Sequence, residues 1–271
     1  MLEAVIFALI TVALAGGGLA LWRLVRGPAR RPLALVLRVA LAALAAALLI
    51  AFSAWKLSNA TTVQLFGGIV PRVETSGRLV AVTFDDGPTA RFTGEVLDIL
   101  REEDVRATFF VTGKGLARNP EAGRLIVEAG HELGNHSFTH SRMILKPYAA
   151  IRGEIEETDR LIRAAGYEGD IHFRAPFGKK LVMLPYYLWR TGRRNIAWDV
   201  APEGYAGTAA GAGGLVEVAL REARPGSIIL LHVMAASRET SREALPEIIR
   251  GLREQGYRFV TVSELLAASP D

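Results

Sequence analysis

Two short stretches of the chain carry residue types suited to metal and acid–base chemistry. HSFTH at 136–140 sets His136 and His140 four residues apart. That spacing puts both imidazoles on one side of a helical turn, in position to share one metal ion. TFDDGP at 83–88 adds two adjacent carboxylates, Asp85 and Asp86. Like charges side by side repel and raise a pKa. A cation on one carboxylate relieves that cost and leaves the other as a base for water held beside it. Two imidazoles and one carboxylate leave coordination positions open for water and substrate. Each motif also has a plainer reading. The histidines could simply face solvent, and the DDGPT stretch could be an Asx turn before a helix.

The elements that must position these residues can be read from the pattern. Short apolar runs at 79–84, 107–112, 131–136, 171–175, 196–200, 227–233 and 259–262 read as strands. Helical stretches lie between them, at 93–103, 120–129, 147–165, 181–191, 215–223 and 243–254. Such alternation predicts an α/β fold with parallel strands and helical crossovers. A (β/α) barrel and an open doubly wound sheet both fit the count. Asp85, Asp86, His136, Arg174, Asp199 and His232 all fall at the C-terminal ends of predicted strands. Several strand ends feeding one set of polar groups is how a barrel builds a site. No GxGxxG follows the first strand, which disfavours a dinucleotide fold.

Taken in order, TFDDGP (83–88), HSFTH (136–140), RAPFG (174–178) and IILLH (228–232) closely resemble the motifs of the polysaccharide deacetylases. This is the NodB-homology domain, or carbohydrate esterase family 4. The resemblance spans roughly residues 78–265. It implies a distorted (β/α) barrel with about seven parallel strands. It implies Asp85 as general base, His232 as general acid and Arg174 as partner of the base. It implies Asp86, His136 and His140 as ligands of one divalent metal, usually zinc, sometimes cobalt or nickel. Phe177 would offer its backbone N–H to an oxyanion, and Leu230 would line the acetyl pocket.

The family's fourth motif commonly reads D-x-x-D-W after the fifth strand. Here Trp198-Asp199 precedes Ala201-Pro202-Glu203-Gly204-Tyr205, and both expected aspartates are missing. Asp199 or Glu203 is then left to tune or orient His232, and Tyr205 to replace the pocket tryptophan. Asp199 is assigned to the catalytic set on this basis, with a simple loop cap as the alternative.

The N-terminal sixty residues are of another kind. Residues 4–22 carry no charge, and residues 33–55 carry only Arg38. A bilayer core of about 30 Å needs about 20 apolar residues in a helix, so both runs read as transmembrane helices. Residues 23–32 between them hold four arginines, which places that loop in the cytoplasm and the rest of the chain outside. Residues 1–3 lack the positive charge of a signal peptide. Residues 1–60 thus read as a membrane anchor, 61–77 as a linker and 78–271 as the deacetylase domain.

The formal charge is +4, but all of the excess lies in the first sixty residues, and the rest of the chain is one negative charge from neutral. The remainder is near neutral without a basic stripe, which argues against a nucleic-acid surface. With no cysteine, thiolate nucleophiles, disulfides and Cys-based metal sites are excluded. The expectation is a membrane-anchored, metal-dependent hydrolase. It would remove acetyl groups from N-acetylated sugars of a cell-envelope polysaccharide such as peptidoglycan. An O-acetyl esterase, or a catalytically silent glycan-binding module on the same scaffold, are the alternatives.

Overall fold

A computed structural model describes residues 32–205 and 211–270, with Pro32, Leu33 and Tyr205 described by backbone alone. The expected first membrane helix and the arginine loop lie outside the described residues. The second apolar run forms one helix, α1 (Pro32–Asn59). Proline suits the first helical position, where its missing N–H costs nothing. Within Ala34–Asn59 an 18-residue window has a mean hydropathy of 2.6, and the helix is long and apolar enough to cross a membrane. The described residues therefore contain one candidate span where two were expected.

Beyond α1 the chain alternates strand and helix. Strand β1 (Ile69–Val70) lies inside the expected linker. Then follow β2 (Leu79–Asp85), α2 (Phe92–Glu102), β3 (Thr108–Val111), α3 (Gly113–Arg118), α4 (Pro120–Glu128), β4 (Glu132–Asn135) and α5 (Tyr148–Ala164). A 3-10 turn at Pro176–Gly178 leads to α6 (Met183–Arg190), β5 (Asn195–Ile196) and α7 (Pro202–Tyr205). The chain closes with α8 (Gly211–Glu222), β6 (Ile228–Leu231), α9 (Glu239–Glu254), β7 (Arg258–Phe259) and α10 (Val262–Ala267).

All strand pairs are parallel. The main sheet runs β4-β3-β2-β6, with β7 pairing the start of β2, and β1 pairs β5 separately. Every residue of β2, β3 and β6 is buried, as expected for strands covered on both faces. Val80, Val82 and Phe84 face the helical layer with Phe109, Ile229 and Leu231. The alternate residues Ala81, Thr83 and Asp85 point the other way, into the ring.

The expected strands at 171–175 and 196–200 are not continuous ladders. Phe173 makes single bridges to Asn135 and Asn195, and Val200 one to Ile229. These bridges link the two sheets around a ring, so the described residues form parallel sheets joined by isolated bridges, not seven full strands. The reason lies in Arg174. Its own carbonyl accepts from the His136 ring, and its guanidinium takes the carbonyls of Ile196 and Ala197. Acceptors that would extend a ladder serve the site instead. The expected linker is also woven in. Gln64 accepts from Asn195 Nδ2, and Val73 N donates to Gly226 O.

Candidate active site

The site begins where β2 ends. Asp85 is its last residue, and Asp86 turns the chain with φ of 72°. Five described non-glycine residues have positive φ, and four of them are Asp86, Ser137, His140 and Phe177. Strained backbone persists only where surroundings over-determine it, and it gathers at functional sites. The DDGP loop is held closely from outside. Thr112 gives both its N–H and its hydroxyl to Gly87 O, and α3 starts against that same carbonyl. A Cβ at Gly115 would lie 2.0 Å from Gly87 O, so only glycine fits there.

Arg174 is fully buried beneath the loop. Its NH1 donates to Asp85 Oδ1 at 2.6 Å and to Thr83 Oγ1 at 2.8 Å. Its guanidinium lies over the Phe110 ring, 4.0 Å from the centroid. Burial by itself would push the Asp85 carboxyl up. The Arg174 charge, with His136 and His232, outweighs burial and holds it below its ordinary value. Asp85 is therefore ionised, with Oδ1 occupied by arginine. Oδ2 is left 3.5 Å from His136 Nε2.

His136 is buried, and its Nδ1 lies 2.9 Å from Arg174 O. A carbonyl can only accept, so Nδ1 carries the proton and Nε2 presents a lone pair. Burial keeps the ring neutral at ordinary pH by pushing its pKa down, against the pull of Asp85 and Asp86. His140 Nε2 lies 3.2 Å from Asp86 Oδ1, and the centroids of the two imidazoles are 4.9 Å apart with the rings tilted by 43°. One ligand atom from each of Asp86, His136 and His140 falls within 4.8 Å of the others. Two imidazoles and a carboxylate suit a borderline divalent ion such as zinc, with positions left open.

A brace that the motifs did not announce supports this loop. Glu154, on α5, accepts from Thr139 N at 2.8 Å, Thr139 Oγ1 at 2.6 Å and Lys146 Nζ at 2.9 Å. Burial would raise its carboxyl, but these donors outweigh it and bring its pKa to about 2. Asn135 adds a second brace, accepting from Ser137 N and donating to Ile155 O. Neither residue carries a motif. Only an acid at a helical spacing opposite the loop could have signalled Glu154.

The His232 side is built differently. His232 follows β6, and its Nδ1 lies 2.6 Å from Glu203 Oε2. Glu203 also accepts from His232 N at 2.8 Å and from Ser241 Oγ at 2.7 Å. Burial would lower the His232 pKa. The Glu203 hydrogen bond and the charges of Asp85, Glu203 and Asp86 outweigh it, and the net shift is upward. Asp199 is not part of this arrangement. It accepts from Ser227 Oγ at 2.8 Å and Ile228 N at 2.9 Å, so it pins the start of β6 while His232 stands past its end. Of the two acids left open by the sequence, the structure pairs Glu203 with the histidine and sets Asp199 apart as a strand-end cap.

Leu230 is buried on β6 and pairs with Thr83, so it shares the inward face with Thr83 and Asp85. The Phe177 ring is exposed, 4.5 Å from the His140 ring, at the rim of the site. Tyr205 ends α7, and its side chain lies outside the described residues.

A buried acid–arginine pair, two imidazoles with a carboxylate, and a carboxylate-backed histidine at parallel strand ends define a hydrolase-type centre. Residues 72–195 match the sequence family described as Polysaccharide deacetylase. A peptidoglycan-N-acetylglucosamine deacetylase of Bacillus cereus is 32% identical over 200 residues, covering 74% of this chain and 93% of that protein. A chitooligosaccharide deacetylase of Sinorhizobium fredii is 35% identical over 199 residues, covering 69% of this chain and 92% of that protein. A solved peptidoglycan N-acetylglucosamine deacetylase aligns with a TM-score of 0.68 at 30% identity, over 73% of this chain and 92% of that one. A CE4 family pseudoenzyme from Bacillus anthracis also aligns, with a TM-score of 0.68 at 28% identity, over 76% and 72% of the two chains. The chain belongs to the polysaccharide deacetylase family, carbohydrate esterase family 4. It is a hydrolase acting on carbon–nitrogen bonds other than peptide bonds.

Proposed function

We propose that the protein removes acetyl groups from N-acetylated sugars of a cell-envelope glycan such as peptidoglycan, with a divalent cation held by Asp86, His136 and His140. The observation that carries this reading is the pairing of two opposite proton states at one mouth. Asp85 is held ionised and His232 is held toward protonation. Hydrolysis of an amide needs both, because water must lose a proton and the departing amine must gain one.

The bound cation would supply Lewis-acid polarisation of the acetyl carbonyl and make water near it more acidic. Asp85 Oδ2 takes a proton from the attacking water, since Oδ1 is committed to Arg174. Arg174 keeps that base charged in a dry setting and fixes its plane. The backbone N–H of Phe177 serves the oxyanion as the carbonyl carbon becomes tetrahedral. His232 holds its Nδ1 proton against Glu203 and delivers the other, at Nε2, to the amine nitrogen. Leu230 contributes an apolar wall for the acetyl methyl. This chain carries base, acid and a ligand triad together, which supports activity over a silent module.

We also read α1 as a membrane span, with the catalytic domain on the outer side and the arginine loop at 23–32 in the cytoplasm. The apolar length of α1 supports this. Acetate release from a panel of N- and O-acetylated glycans, after chelation and again with added zinc, tests the activity. Release from N-acetylated glycan that chelation abolishes and zinc restores is expected. Release from O-acetylated substrates alone would overturn the reading.

A further inference from the structure

The face of the domain beside the end of α1 has an unusual composition. Among the described residues outside α1, all exposed large hydrophobic residues except Leu125 fall within residues 65–66, 145–148 and 177–189. These segments meet in space. The Phe66 ring lies 5.4 Å from Tyr186 and 6.2 Å from Trp189, and Tyr148 lies 6.0 Å from Tyr186. Met143 bridges to Lys180, joining the loop that carries Leu145 to the loop that carries Phe177.

Charge follows the same division. Segments 54–73, 140–153 and 174–198 contain eleven Lys and Arg and not one Asp or Glu. The domain as a whole is near neutral. Some of these cations serve the interior, as Arg174 does, or pair with acids of α5, as Lys146 and Arg193 do. Arg142, Arg190 and Arg194 are exposed and form no ion pair among the described residues. One exposed carboxylate borders the face, Glu156 of α5, which pairs with Arg152 at 3.8 Å and accepts from the Tyr187 hydroxyl at 3.3 Å. Aromatic rings with cations in excess of acids suit the interface of an anionic bilayer.

The end of α1 fixes where this face stands. Lys179 donates to the Asn59 side chain, Lys180 Nζ to Ala60 O, and Lys180 N to Ser58 O at 3.3 Å. Trp55 is exposed one turn earlier, at the place where an interfacial tryptophan sits. From Trp55 to Asn59 the helix rises about 6 Å. Phe177 lies three residues from Lys180, a reach of at most about 11 Å.

We infer that this aromatic and basic face rests on the outer surface of an anionic membrane and holds the mouth of the active site at the headgroup layer. The substrate class that follows is N-acetylated saccharide held at the bilayer surface. The inference rests on the reading of α1 as a span.

The chain has no cysteine, so Leu145→Cys and Leu125→Cys each create a single site for a spin label. The full chain would be reconstituted in vesicles of phosphatidylcholine with phosphatidylglycerol, and in phosphatidylcholine alone. In anionic vesicles the label at 145 should meet lipid-soluble oxygen more than a water-soluble nickel chelate, and the label at 125 the reverse. Arg190→Gln and Arg194→Gln should each shift the docked fraction at 145 about fivefold toward water, with hydrolysis of a soluble oligosaccharide unchanged. A label at 145 as open to the chelate as that at 125 overturns the docking. So does a label that responds to soluble N-acetylated oligosaccharide but not to lipid, which would make the face a glycan subsite. Alkaline carbonate extraction reads insertion separately. A chain that washes off the vesicles overturns both the span and the docking, while acetate release reports on the active site alone.

Discussion

The Asp85 side of the site, proposed as the base side, is buried and braced from several elements, whereas the His232 side, proposed as the acid side, hangs on one strand end and a four-residue helix. Asp85 and His136 are inaccessible, and Arg174 ties the ends of β2 and β4 to the stretch around β5. His232 is part-exposed and leans on Glu203 alone among carboxylates within hydrogen-bond reach. Burial opposes charge on both sides. On the base side a fixed arginine overcomes it, and on the acid side a neighbouring carboxylate does. Ionisation of a buried acid needs a permanent countercharge. A proton that must leave and return needs a softer partner.

The largest expected effect separates the two sides by substrate. Asp85→Asn should reduce turnover by about 10²–10⁴-fold on every substrate, because the amide cannot take the proton, while divalent-metal stoichiometry stays intact. His232→Ala should cost a similar factor on amides and much less on activated aryl acetates, whose leaving groups depart unprotonated. Equal losses on both substrate types would remove His232 from the role of acid.

A smaller effect should come from Glu203→Gln. Loss of the carboxylate lowers the His232 pKa. The acid must be protonated to work, so the alkaline limb of the kcat/KM profile should move to lower pH. The acid limb, set on the base side, should stay in place. If both limbs stay where they were, Glu203 only packs.

Asp199→Asn sharpens the same comparison. It should cost roughly 1–3 kcal/mol of stability through the loosened start of β6, with kcat and the pH profile unchanged. A shifted alkaline limb would return Asp199 to the catalytic set.

The smallest effect lies away from the mouth. His131 is buried on β4's approach and accepts from Ala107 N, and burial lowers its pKa to about 4. Between that value and about 6.5 the unfolded chain binds the extra proton, so stability should fall as pH drops through this window. The slope is at most about 1.4 kcal/mol per pH unit. His131→Asn should flatten it in urea titrations, and an unchanged slope would place the acid sensitivity elsewhere.

Much of the base side was legible because its chemistry restricts residue types. Adjacent aspartates and an HxxxH pair have few inexpensive structural uses, and they stood at expected strand ends. The acid side was legible only in part. Asp199 and Glu203 lie four residues apart, and either could have reached His232 on paper. The bridge from Val200 to Ile229 lies between them, so one acid meets the start of β6 and the other its end. Glu154 left no trace because its partners lie on a loop that only tertiary packing brings to α5.

From sequence alone, the alternation of apolar runs established a parallel α/β fold, and the order of four motifs established the family. Apolar length marked the helix before the domain. Periodicity and residue type decide such matters because burial and chemistry act on each element locally. Tertiary structure alone decided which carboxylate backs His232, which strands break to feed Arg174, and which face gathers aromatic rings and cations beside the end of α1. Those outcomes depend on where distant segments meet, and hydrogen-bond partners across the ring are set by packing, not by spacing along the chain.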